Sequence, residues 1–102
     1  MSAFYDRQGH PLTLEEWAAL LDDAPNREAL TRVARTAVGD AWVSTVWLGI
    51  DHSFGDGQAP LIFETMVFGG PLDQETWRYA TEEQARAGHE HAVTLARLEA
   101  AL

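Results

Sequence analysis

Two apolar runs constrain this chain most: AWVSTVWLGID at residues 41–51 and LIFETMVF at residues 61–68. Both are rich in Val, Ile, Thr, Trp and Phe, side chains that suit a pleated surface. The segment between them carries the turn formers of a loop, so together they predict a central antiparallel hairpin. Alternation along the strands puts Val46, Leu48, Ile50, Ile62, Met66 and Phe68 on one face. Val43, Thr45, Trp47, Phe63 and Val67 fall on the other. A sheet apolar on both faces, with helices on one side only, needs loops or another copy of the chain over its second face. The expectation is a homodimer that buries one sheet face, with Trp47 at its seam.

The flanking segments complete an α+β pattern. AFYDRQGHPL reads as a small hairpin turning at Gly9. In LTLEEWAALLDD, Thr13 and Glu16 form a capping box, and Leu12 and Trp17 occupy the positions of a hydrophobic staple. Leu14, Trp17, Ala18 and Leu21 make that helix's apolar face, and Pro25 lies just beyond its end. NREALTRVARTAV fits either a helical face or a strand. A short helical turn followed by a strand is expected, because Gly39-Asp40 suits a tight turn into residue 41. TWRYA forms a further strand. Thr81 and Gln84 then cap a last helix running towards Leu102, with Ala85, Gly88, Ala92, Leu95 and Leu102 as its inward stripe. A mid-helix glycine costs about 1 kcal/mol relative to alanine. On an inward face Gly88 would repay that cost by close approach to a sheet. The expected fold is one α+β domain over residues 1–102: an antiparallel sheet with an N-terminal and a C-terminal helix packed on one face.

Charge narrows the partners. Sixteen acidic residues against seven basic ones give a formal charge of −9. That surface repels phosphate backbones, so no direct nucleic-acid partner is expected; it suits a protein with a basic surface. The absence of cysteine excludes disulfides, thiol catalysis and Cys-ligated zinc. No stretch nears the roughly 18 apolar residues of a membrane span, and MSAFYDRQGHPL has no signal-peptide character. A cytoplasmic location without membrane attachment is expected.

Few residues suggest catalysis. Asp51-His52 has the composition of an acid–base pair, yet adjacent strand residues point to opposite faces. Pairing near residues 52 and 60 would leave His52 and Glu64 about 13 Å apart, too far for proton transfer. Tying down loop backbone is the simpler role for Asp51 and His52. Glu64 stands alone among apolar residues and needs a partner, with Arg32, Arg35 and Arg78 as candidates. His89 and His91 lie about 200° apart on a helix, so they cannot chelate one ion. No metal and no cofactor is expected, since HExxH, phosphate-loop and Gly-x-Ser-x-Gly motifs are all missing. Trp42, Trp47, Phe54, Trp77 and Tyr79 could stack a base, but core packing weighs more heavily. The candidate binding residues are Trp47, Asp51, His52, Phe54, Glu64 and Trp77.

The runs WVSTVWLGIDHSFGDGQAPLIFETMVFGG and WRYATEEQARAGHEHAV, with a looser match at YDRQGHPLTLEEWAALL, resemble a family of small uncharacterised proteins of tailed phages and prophages. The DGQAP loop and the alanine-rich last helix look like this chain's own variation. The resemblance transfers no catalytic residues. It implies expression in the cytoplasm of an infected bacterium and an accessory role against the host. The leading expectation is therefore a non-enzymatic protein that binds a host protein, such as a counter-defence inhibitor. Next comes a homodimeric binder of a small molecule or nucleotide signal. Third is a small hydrolase-like enzyme using His52 with Asp51 or Glu64.

Overall fold

The computed structural model describes residues 3–53 and 59–102. A two-stranded hairpin, β1 (Phe4–Tyr5) and β2 (Pro11–Leu12), leads into helices α1 (Leu14–Asp22) and α2 (Ala24–Thr31). Four antiparallel strands follow in meander order: β3 (Arg32–Val38), β4 (Ala41–Trp47), β5 (Phe63–Phe68) and β6 (Thr76–Tyr79). Helix α3 (Glu82–Ala100) closes the chain. The fold is the α+β arrangement expected. Residues 26–38 divide as expected too, into helix and then strand, with the turn at Gly39-Asp40. Pro25 sits in the first turn of α2, where its missing amide hydrogen costs nothing.

Both capping boxes form. Thr13 Oγ1 accepts from Glu16 N at 3.1 Å, and Thr81 Oγ1 accepts from Gln84 N at 3.1 Å. Arg7, in the first hairpin's turn, binds Glu82 through Nε at 2.6 Å and donates through Nη1 to Leu30 O at 2.7 Å. One guanidinium thus joins the hairpin, the end of α2 and the start of α3. Its hydrogen bond, with that of Arg86, holds the Glu82 carboxyl below its usual range despite partial burial.

Helix α3 lies across the sheet face carrying Val43, Thr45, Trp47, Phe63, Thr65 and Val67, all of them buried. Two apolar clusters result. Val38, Val43 and Val67 meet Ala92, Val93 and Ala96, with Trp77 and Leu72 at the margin. Val33, Trp47, Ile62, Phe63 and Ala85 form the other, against which Trp17 and Leu21 of α1 and Leu30 of α2 pack.

Three details depart from expectation. The buried stripe of α3 is Ala85, His89, Ala92, Val93 and Ala96, whereas Leu102 is 95 % exposed because the helix stops at Ala100. Regular β4 ends at Trp47, four residues early. Ile62, expected beside Val46, is instead buried with Phe63. Both latter changes share one cause: Leu48 N and Gly49 N donate to the same Ile62 carbonyl, at 2.8 and 3.3 Å. Two residues against one is a bulge, and it breaks the alternation. Gly49 takes φ +73° there, and a Cβ on it would stand 2.5 Å from the Trp47 ring and 2.6 Å from Trp17 Nε1.

Gly88 plays the role foreseen for it. A methyl group at this position would overlap the Tyr79 phenol, whose ring lies across the helix. Gly88→Ala should gain about 1 kcal/mol in helix propensity but lose about 1–3 kcal/mol to overpacking. A net loss of stability is expected by denaturant unfolding. Adding Tyr79→Ala to Gly88→Ala should cost less than Tyr79→Ala costs in the parent; equal costs would separate the two residues.

Candidate functional site

No helix lies across the opposite sheet face among the described residues. It presents Trp42, Ser44 and Val46 from β4 beside their register partners Phe68, Met66 and Glu64 from β5. Trp42 is 43 % and Phe68 47 % exposed. The Arg35 guanidinium carbon lies 4.3 Å from the centre of the Trp42 ring, a cation–π contact. A groove of about 380 Å³ runs between this face and α2, lined by Thr31, Arg32, Arg35, Trp42, Ser44 and Phe68. At the bulged end of β4 a second hollow of about 570 Å³ follows. Trp17, Leu21, Leu48, Ile50, His52 and Glu64 are among its walls, and Thr31 and Val46 border both depressions.

Asp51 serves the backbone. Its Oδ1 accepts from Ser53 N at 2.8 Å and from Leu61 N at 3.0 Å, pinning the two sides of the loop. Desolvation would raise its carboxyl, but these amides hold it below the usual range. Glu64 is largely shielded and pairs with Arg78 Nε on the neighbouring strand at 3.1 Å. His52 lines the same hollow as Glu64, yet no hydrogen bond joins the two among the described residues. Trp47 is 1 % exposed, deep beneath α3, so it cannot stand at a dimer seam. Its indole N–H finds no acceptor among the described residues. Trp77 opposes Thr65 on the α3 side and borders the core. Phe54 lies outside the described residues. The structure therefore brings His52 and Glu64 to one hollow, which the buried Trp47 also borders, and sends Trp77 to the covered face.

From the sequence, Trp42 stands only among the aromatics and Arg35 only among the candidate partners of Glu64; the structure sets them together. The available signal was register: Trp42 alternates with Ser44 and Val46, opposite the face of Trp47. Among the described residues no cluster of His, Asp and Glu could hold a metal ion. None of their helices is long and apolar enough to cross a membrane. Comparison with protein-family models, with curated proteins and with solved structures finds no match to this chain.

Proposed function

We propose that this protein acts by binding rather than catalysis, and that its contact surface is the uncovered sheet face. The observation that carries this reading is the half-exposed pair Trp42 and Phe68, adjacent across two strands. With Val46, Met66 and Arg35 they make a continuous patch of the kind that marks interaction sites. Trp and Arg are also the types most enriched among residues that dominate binding energy. The carboxylates that could serve His52 in acid–base work are engaged elsewhere: Asp51 by loop amides and Glu64 by Arg78.

The partner is a host protein, in keeping with the resemblance to tailed-phage and prophage proteins, and the role is that of a counter-defence inhibitor in the bacterial cytoplasm. Helix α1 borders the hollow beside this face and, with Asp23 at its C-cap, exposes Glu15, Glu16 and Asp22. Those carboxylates would steer it towards a basic host surface. A homodimer would compete for the same face, with Trp42 at its centre in place of Trp47.

The test is capture of the host partner by wild type and variants, with light scattering alongside. Trp42→Asp should reduce capture at least about tenfold while the melting temperature holds. Reversing the four α1 charges should weaken capture at low salt and progressively less as salt rises. His52→Ala should change nothing. Function lost in a well-folded His52→Ala, with Trp42→Asp silent, would overturn the reading and make the loop after β4 an active site. A dimer that Trp42→Asp dissociates would give the face to a second copy instead.

A further inference from the structure

Carboxylates outnumber arginines more than two to one in this chain, and most arginines are taken. Arg7 and Arg86 share Glu82, Arg78 holds Glu64, Arg32 meets Glu28, and Arg27 donates to Leu21 O. Arg35 has no carboxylate partner among the described residues, although it stands in a groove of a strongly acidic protein. It is held instead against the Trp42 ring. A guanidinium left free for an anion, beside exposed aromatic surface, is an arrangement with a definite chemical complement.

We propose that the groove between α2 and the open sheet face is a binding site for a free mononucleotide, a planar base carrying a phosphate. The phosphate would accept charge-assisted hydrogen bonds from Arg35, and from those Arg32 donors that Glu28 leaves free. The Ser44 hydroxyl lines the same space and can donate as well. The base would lie against Trp42 or Phe68, since every base offers a π-face to an aromatic platform. The groove's volume, about 380 Å³, falls within the roughly 300–1,000 Å³ of ordinary ligand pockets.

The chain's net charge does not forbid this. At physiological salt the Debye length is about 8 Å, so distant carboxylates are screened and the groove's own groups decide. Those groups are Arg32 and Arg35 against Glu28, one positive charge in excess. That balance suits a small anion and not a polyanion, whose further phosphates would run out over acidic surface. The site does not depend on the host-protein reading, because nucleotide binding and partner capture are read by separate measurements.

The experiment is calorimetric titration of the whole protein with AMP, adenosine and inorganic phosphate as probes. AMP is expected to bind saturably at one site per chain, with adenosine and phosphate each at least about tenfold weaker because each meets half the groove. Arg35→Gln and Trp42→Leu should each weaken AMP at least about tenfold while the melting temperature holds. Arg97→Gln, on the helix covering the opposite face, should leave AMP binding unchanged. Absence of saturable AMP binding to millimolar concentration would overturn the proposal. So would AMP binding that Arg35→Gln leaves intact, or phosphate binding as tight as AMP.

Discussion

Trp47→Asp is expected to abolish cooperative folding. The indole is 1 % exposed and packs with Val33, Ile62, Phe63 and Ala85 at the point where α1, α2 and α3 converge on the sheet. Truncating a buried Trp costs about 3–5 kcal/mol through lost contacts and the cavity left behind. Aspartate adds a charge to an apolar cluster, which costs several kcal/mol more or forces the group to take up a proton. Domains of this size are stable by only about 5–15 kcal/mol, so most or all of the margin goes. Trp47→Phe is the informative companion. Since the indole N–H makes no hydrogen bond among the described residues, Phe sacrifices packing volume alone and should retain a cooperative melt. Circular dichroism on heating reads both variants. A Trp47→Asp protein melting cooperatively within about 8 °C of wild type, the effect of roughly 1–2 kcal/mol, would place this ring on the surface. The opposite outcome holds for Trp42→Asp, one face away and five residues earlier, which should fold.

That contrast shows how far the sequence could be read. Element types and order were legible because capping boxes, turn formers and β-branched runs act locally: Thr13, Thr81, Gly39 and residues 63–68 each settle their own neighbourhood. Period-two alternation also held the signal that separates Trp42 from Trp47, although the two stood together as aromatics. It could not say which face α3 would cover, because both faces are apolar and the choice is made by a helix some forty residues away. Leu48 and Gly49 sharing one carbonyl was invisible for a related reason: a bulge is a pairing event, and Ile62 changes sides only once the strands are laid together. Arg35 was weighed only as a partner for Glu64, which Arg78 holds instead; its place against Trp42 is a tertiary fact. His89 was read only as half of an unworkable metal pair. Its true partners, Thr36 and Thr45, lie on two different strands, and Thr65, bonded to Thr45, lies on a third.

His89 should make this protein acid-sensitive at a pH where carboxylates still hold. It is 1 % exposed, with Nδ1 2.8 Å from Thr45 Oγ1 and Nε2 2.8 Å from Thr36 Oγ1. Thr45 Oγ1 lies in turn 2.5 Å from Thr65 Oγ1. Neutral imidazole has one donor and one acceptor, and hydroxyls can answer either, so the chain of four groups is satisfied. Imidazolium would be a charge in the core, and the hydroxyl chain would have to reverse to accept both its protons. Burial therefore pushes the His89 pKa below its ordinary value, against a weaker upward pull from Glu90. The unfolded chain keeps a histidine pKa near 6.5, so between the folded and unfolded values it binds more protons than the native state. Stability from His89 is then complete above about pH 6.5 and is lost as pH falls through that window. The carboxyls held low in the fold, Asp6, Asp51 and Glu82, lose theirs only at more acidic pH, as they begin to protonate. Urea unfolding at steps from about pH 7.5 to 5 should show a falling free energy in wild type. His89→Gln keeps a donor and an acceptor but does not titrate. It should cost about 1–3 kcal/mol at pH 7.5 through imperfect hydrogen bonding and flatten the slope, while His91→Gln, on the exposed side of α3, should leave the slope as it is. A slope that survives His89→Gln unchanged would mean that some other group carries the acid sensitivity.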